Sequence, residues 1–263
     1  MLQYPQFDPI LIGIGPVQIR WYGLMYVLGF TASYLLVRRR LERDASLAGF
    51  ATHFENLNFV LILSLVLGGR LGYVLFYNLP YYLSHPGEIL ATWMGGMSFH
   101  GAAIGTALGG ALYCRLKGLD FWRGADLYVV TMPIGLGLGR IGNFINAELY
   151  GRVTDVPWAM VFPGGGPLPR HPSQLYECLL EGVLLFTLLW RLKDRRWPSG
   201  SMLAAFFGFY GLFRILVEFV REPDPQLGFL PGGVTMGQIL SGLMITAGVL
   251  IAVLRRRAAR SAP

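Results

Sequence analysis

Between Leu127 and Gly139 the chain carries no Lys, Arg, Asp or Glu, and it then enters Arg140-Ile141-Gly142-Asn143-Phe144-Ile145-Asn146-Ala147-Glu148-Leu149-Tyr150-Gly151, a dense polar cluster closing an apolar run. A charge at the end of such a run sits inside a membrane or at its edge, where an unpaired guanidinium is costly. Arg140 is therefore by default a functional-site hypothesis.

The composition agrees with a membrane environment. Hydrophobic residues make up 54% of the chain and charged residues 14%, against roughly 45–50% and 25% in soluble domains, and the mean hydropathy is +0.49. A chain of 263 residues holds about seven spans of roughly 20 residues with short connections. The expected fold is all-α: a polytopic membrane helical bundle of about seven transmembrane helices, with residues 1–263 as a single integral membrane domain. The apolar segments fall at about 19–37, 57–77, 95–114, 124–146, 173–190, 201–220 and 234–254. Residues 1–18 lack the basic stretch of a secretory signal peptide, so the first span is expected to be retained.

The net charge of +7 does not point to nucleic acid, because the basic residues form short clusters after apolar runs and do not line one soluble face. Fifteen of the 22 basic residues, among them Arg38-Arg39-Arg40, Arg195-Arg196 and Arg255-Arg256-Arg257, fall in alternate connections. Arg20, Arg152, Arg170 and Arg221 fall in the others. The excess marks the cytoplasmic side, which puts the N-terminus outside and the C-terminus in the cytoplasm. Two outer connections are long. Residues 78–94 contain Tyr81, Tyr82 and Trp93 and suit the membrane interface, and residues 147–172 carry the turn-rich Pro163-Gly164-Gly165-Gly166-Pro167.

Glycine is abundant, at 35 residues, and recurs at four-residue spacing in Gly68/Gly72, Gly101/Gly105/Gly109 and Gly135/Gly139, the pattern of closely packed membrane helices. Gly137-Leu138-Gly139-Arg140-Ile141-Gly142 matches a dinucleotide-binding pattern, but it lacks the preceding strand that such a site needs. Cys114 and Cys178 lie on different spans, and no Cys/His cluster suggests a metal or organic cofactor.

On this topology Tyr22, Arg70, His100, Arg140, Asn143, Glu177, Arg214 and Glu218 all come out in the outer halves of their helices. Tyr210, Arg214 and Glu218 share one helical stripe, and Gln174, Glu177 and Glu181 share another. Bland readings stand beside each residue. Arg214 and Glu218 can neutralise one another, Arg70 can be a strut between helices, Glu177 and Glu181 can hold arginines in place, His100 can be a core histidine, and Asn143 and Asn146 can end a helix. Against these stands the count: Arg70, Arg140 and Arg214 at one level with few acids suit a bound anion such as a phospholipid phosphate. A neighbouring histidine, with an ordinary pKa of about 6.5, can take a proton from a nucleophile.

These residues resemble bacterial prolipoprotein diacylglyceryl transferases over nearly the full length. The resemblance is carried by Trp21-Tyr22-Gly23-Leu24, Gly68-Gly69-Arg70-Leu71-Gly72-Tyr73, Gly95-Gly96-Met97-Ser98-Phe99-His100-Gly101 and the Gly139–Gly151 signature. Arg170-His171-Pro172-Ser173-Gln174-Leu175-Tyr176-Glu177 and Arg214-Ile215-Leu216-Val217-Glu218-Phe219 add to it. Arg20 stands where some members have His.

The resemblance implies a multi-pass bacterial inner-membrane enzyme that moves diacylglycerol from phosphatidylglycerol to the lipobox cysteine of a preprolipoprotein, with no cofactor. It implies His100, Arg140 and Arg214 as catalytic residues. Tyr22, Arg70, Arg140, Asn143, Asn146, Glu148, Gly151, Tyr210 and Glu218 would then bind substrate. Two other readings stay open: a transporter of an anionic substrate, although no inverted repeat is visible, and an intramembrane serine hydrolase using Ser98, although Gly96-Met97-Ser98-Phe99-His100 lacks the nucleophile-elbow spacing.

Overall fold

The structure is a computed structural model that describes residues 2–15, 17–223 and 228–261. It is mostly helical and divides into two compact units, residues 38–124 and residues 1–37 with 125–263. Helix α1 (Trp21–Arg43) begins in the larger unit and ends in the smaller, and α5 (Phe121–Val129) runs the other way.

In the smaller unit, α2 (Ala48–Tyr77) packs along α4 (Phe99–Lys117) through the glycines whose spacing the sequence displays. A Cβ on Gly72 would lie 2.7 Å from the Gly101 Cα, and one on Gly105 would lie 2.8 Å from the Gly68 Cα. Backbones this close gain dispersion contacts that lipid cannot supply, which is how membrane helices associate without a hydrophobic drive. Ser98 caps α4 by accepting from Gly101 N, and Gly118, at φ +67°, ends it in the left-handed region. The connection between α2 and α4 contains the short helix α3 (Leu79–Ser84), followed by two single turns.

In the larger unit, the apolar run expected as one span is two helices, α5 and α6 (Met132–Ile145). Pro133 lacks the N–H that would continue the ladder, and its ring opposes the preceding turn. The Thr131 hydroxyl fills the gap, donating to Tyr128 O at 2.8 Å and meeting Ser33 Oγ at 2.6 Å. The next segment runs through α7 (Ser173–Glu177), a π-helical stretch (Cys178–Leu184) and α8 (Leu185–Leu192). Helices α9 (Ser201–Glu218) and α10 (Met236–Ser261) follow. Asp126 starts α9 by accepting from Gly200 N and Leu203 N. Val129, Val130, Leu185, Leu189, Met202, Phe206 and Phe213 form the buried core of this unit.

Among the described residues, three helical stretches, Ala45–Tyr77, Ser201–Glu218 and Met236–Ser261, are long and apolar enough to cross a membrane. Large apolar side chains face outward on two of these stretches and on α4: Phe59, Leu243 and, on α4, Leu108 are 67%, 62% and 66% exposed. In water each would forfeit about 1.5–3 kcal/mol relative to burial. Hydrocarbon removes that penalty.

The all-α expectation misses four short strands among the described residues. Ile10–Ile14 (β2) and Val17–Arg20 (β3) form an antiparallel hairpin, with Ile12 opposite Ile19, so α1 begins at Trp21. Leu2–Gln3 (β1) pairs in parallel with Met160–Val161 (β4) in the long outer connection. Met1 and Pro263, on which the terminal orientation was read, lie outside the described residues.

Candidate active site

Arg140 on α6 and Arg214 on α9 meet at one carboxylate. Arg140 Nη2 lies 2.5 Å from Glu177 Oε2, and Arg214 Nη1 donates to the same oxygen at 2.7 Å. Arg214 Nη2 reaches Glu218 Oε1 at 2.6 Å, one helical turn along α9. Arg221 Nη1 approaches that oxygen at 3.4 Å. Glu181 stands behind, 3.7 Å from Arg214 Nη1 and 3.9 Å from Arg140 Nη2. The Glu177 and Glu181 side chains are fully buried, the Arg214 side chain is 10% exposed, and that of Arg140 is 20% exposed. Arg140 is thus the more accessible of the two guanidinium groups that share Glu177.

The expected surplus of positive charge is corrected here. Three arginines, Arg140, Arg214 and Arg221, are matched by three glutamates, Glu177, Glu181 and Glu218. The physical reason is the desolvation cost of each charge, which a dry interior permits only with a partner. Glu177 and Glu181 are the arginine holders that their stripe suggested. The π stretch begins directly after Glu177, and its wider turn brings the two carboxylates to the same cluster. It can pack there because Gly182 meets Gly137 of α6, where a Cβ would sit 2.7 Å from the Gly137 Cα.

Glu218 is anchored from its other side. The Thr235 hydroxyl donates to Glu218 Oε2 at 2.6 Å. Thr235 also caps α10: its Oγ1 accepts from Gln238 N, and Gln238 Oε1 accepts from Thr235 N. This reciprocal pair satisfies two otherwise orphaned groups and fixes the hydroxyl. Arg152 fastens the far end of α9 by donating to the carbonyls of Glu218 and Arg221.

The signature forms a wall beside this cluster. Asn143 Oδ1 makes a long 3.5 Å contact with Arg140 Nη1, and Asn143 Nδ2 donates to Glu148 Oε1 at 2.8 Å. Asn146 Nδ2 reaches the same oxygen at 3.2 Å. Ala147 and Leu149 both hold positive φ, +54° and +57°, which L side chains resist at a cost of about 1–2 kcal/mol each. Neighbours enforce the conformation: Glu148 N donates to Asn143 O, the buried Gln174 donates to Glu148 O at 2.6 Å, and Ser173 Oγ donates to Leu149 O at 3.0 Å. Tyr4 closes the end of α6, its hydroxyl meeting the carbonyls of Phe144 at 2.7 Å and Ile145 at 2.9 Å. Gly151 has no room for a side chain, because Val220 O and His171 lie against it.

The other expected site residues are distributed between the units. Tyr22 packs on Gly142, and its hydroxyl meets that of Tyr26 at 3.1 Å. Tyr210 lies one turn before Arg214 and stacks on Phe206. His100 is exposed at the start of α4, in the smaller unit. Arg70, also in the smaller unit, is fully occupied by its own surroundings. Its Nε donates to Ile89 O at 2.7 Å, its Nη2 to Glu88 O at 2.7 Å, and its Nη1 to Gly95 O at 2.5 Å and Gly96 O at 3.2 Å, with the Tyr82 ring 5.0 Å from Cζ. It is the strut of the bland reading, tied to a loop where a second helix was expected. Sequence reasoning placed Gln174 on the Glu177 stripe without giving it a role, and gave none to Arg152 or to Thr235, although Thr235 carries a signal, the Thr-x-x-Gln capping pattern.

Outside the spans, His171 shares the edge of this wall. Its carbonyl accepts from Gly151 N, and Nδ1 lies 3.2 Å from the Tyr176 hydroxyl. Burial pushes its pKa below the usual histidine value. Among the described residues no group of three His, Cys, Asp or Glu side chains could hold a metal ion.

Comparison with known proteins sets this geometry in a lineage. Residues 9–254 match the family described as prolipoprotein diacylglyceryl transferase. The chain is 60% identical over 253 residues to the phosphatidylglycerol–prolipoprotein diacylglyceryl transferase of Desulfotalea psychrophila, covering 94% of this chain and 93% of that one. It is 54% identical to the enzymes of that name from Geobacter sulfurreducens, covering 97% and 98% of the two chains, and from Bordetella avium, covering each in full. The chain belongs to the prolipoprotein diacylglyceryl transferase family.

Proposed function

We propose that this protein transfers the diacylglyceryl group of phosphatidylglycerol to the lipobox cysteine of a preprolipoprotein, at the periplasmic face of the inner membrane, in lipoprotein maturation. The sulfur of the thiolate attacks the glyceryl carbon bearing the phosphate ester. A C–S bond forms, the C–O bond breaks with its electron pair on the phosphate oxygen, and glycerol phosphate departs. The observation that carries this reading is the meeting of Arg140 and Arg214 at Glu177 Oε2, with Arg140 the more accessible. Planar guanidinium groups held in a fixed orientation suit the charge that grows on a leaving phosphate. Membership of the family and the names of relatives over 50% identical support the same chemistry.

Within this reading His100 takes the thiol proton, since the thiolate is the competent nucleophile. Asn143, Asn146, Glu148 and Gly151 shape the head-group end of the site. Tyr22 and Tyr210 line its approach, Glu218 orients Arg214, and Arg70 contributes through the segment that it holds. Seven spans, an outer N-terminus and a cytoplasmic C-terminus complete one multi-pass domain, with 78–94 and 147–172 as periplasmic connections. The distribution of basic residues and the continuous family match over both units support that arrangement.

The test uses purified protein in nanodiscs with phosphatidylglycerol and a lipobox peptide. Equimolar glycerol phosphate release and diacylglyceryl mass gain on the peptide cysteine are expected. Neither should occur with a Cys→Ser peptide. Translocation of a glycerophosphate anion without any gain in peptide mass would favour the transporter reading instead.

A further inference from the structure

Glu177 plays no part in bond making in the reaction above, yet it is the point at which the two catalytic arginines converge. One oxygen, Oε2, takes contacts from α6 and α9 at 2.5 and 2.7 Å, and its side chain is fully buried. Its other oxygen lies 4.0 Å from Arg221 Nε. A carboxylate in that position is not displaced by an incoming phosphate without leaving a buried pocket, and an uncompensated charge there is strongly unfavourable. The phosphate must therefore use other donors of the same guanidinium groups.

We propose that Glu177 is a positioning residue for this transferase: it stays bonded to Arg140 and Arg214 throughout turnover and sets the angle at which their remaining N–H groups meet the leaving phosphate. The inference rests on the transferase reading and deepens it. Two local features hold Glu177 in register. The wider turn of Cys178–Leu184 starts at the next residue, and the Gly137–Gly182 approach locks that turn against the helix carrying Arg140. Glu181 does not substitute for it, because its nearest guanidinium nitrogens are 3.7 and 3.9 Å away. Neither of its oxygens has a hydrogen-bond partner among the described residues.

A double-mutant cycle on Glu177 and Arg140 tests the idea. Glu177→Gln keeps the shape but offers one acceptor and a repelling amide where two cations shared an anion. It should lower kcat about 100-fold, the loss expected for a misplaced catalytic group. The KM for phosphatidylglycerol should move less than about threefold, since the lost interaction acts in the transition state. In an Arg140→Lys background, where the fork is already gone, Glu177→Gln should cost less than about threefold more, because residues acting as a unit are not additive.

Losses that multiply in the double variant would overturn the proposal, as would a loss that only tracks the folded fraction measured by thermal unfolding. Glu177→Asp, which keeps the charge and withdraws the oxygen by one methylene, enters the same cycle if Glu177→Gln does not fold. Failure of both to fold would make Glu177 scaffold and overturn the positioning role. The side-chain Nε–H signals of Arg140 and Arg214 in nitrogen-15 NMR give a second readout that needs no transfer: Glu177→Gln should move both, and unmoved signals would overturn the positioning role. A wild type that transfers nothing refutes the transferase reading, while these signals still decide whether Glu177 orients the arginines.

Discussion

Arg70 and Arg214 are both buried arginines on apolar helices, and their surroundings could hardly differ more. Arg70 spends its guanidinium on four backbone carbonyls of residues 88–96, whereas Arg214 spends its own on the carboxylates of Glu177 and Glu218. Backbone carbonyls are neutral and do not titrate, so Arg70 is a fastener whose partners keep the same character at any pH. Carboxylates are charged, and a cluster of three cations and three anions is sensitive to any further charge brought near it. The lesson is that an intramembrane arginine announces a function only after its acceptors are known.

The largest test of this contrast is Arg214→Ala. It leaves two buried carboxylates short of a cation, at a cost of about 3–5 kcal/mol, and it should abolish lipid transfer. Thermal unfolding in detergent and single-turnover transfer check both parts, and transfer above a tenth of the wild-type rate would show that Arg140 suffices. Next comes Arg70→Lys. A point charge cannot span four carbonyls, so stability should fall by about 3 kcal/mol. Limited proteolysis should open residues 86–96, while the KM for phosphatidylglycerol stays close to wild type. A raised KM at unchanged stability would erase the distinction between fastener and anion site.

A smaller effect is expected for Tyr4→Phe, which strips the hydroxyl from the carbonyls of Phe144 and Ile145 and should cost about 1–2 kcal/mol. Faster hydrogen exchange at Ala147 and Glu148 would show that the clamp steadies the signature. The smallest concerns His171. Its folded pKa is depressed by burial, so the unfolded chain binds the proton more readily. Stability should hold above the unfolded pKa of about 6.5 and decline as pH falls through it towards the folded pKa. His171→Gln should flatten a melting profile taken between pH 7.5 and 5 (a range set around the ordinary pKa of about 6.5). An unchanged slope would assign that pH response to another group.

Much of the site was legible because charges in apolar runs are rare. Arg140, Asn143 and Glu148 stand together in one signature, and Arg214 and Glu218 share a helix face by simple spacing. What spacing could not convey was the acceptor of each guanidinium. Arg70 looked like a member of the anion site because helical position fixes its depth but not the loop that folds back on it. The glutamates looked too few because spacing put Glu177 and Glu181 on one stripe without showing that this stripe faces Arg140 and Arg214, an approach that depends on the Gly137–Gly182 contact. In the fold, the Gly68/Gly101 contacts followed directly from small-residue spacing. The N-terminal hairpin was overlooked although Gly15-Pro16 between Ile10-Leu11-Ile12 and Val17-Gln18-Ile19 is a turn signal between apolar runs. The break before Met132 was likewise written in Pro133.

The clamp formed by Tyr4 joins the first residues of the chain to carbonyls 140 and 141 positions later, and Glu218 is pinned by Thr235, later still. During synthesis the ribosome must therefore release more than half of the polypeptide before the signature can be latched, and nearly all of it before the partners of both Arg140 and Arg214 are in place. A nascent chain stalled earlier would present helices to the bilayer but no working site. Assembly of the Arg140–Arg214 cluster is thus coupled to completion of insertion.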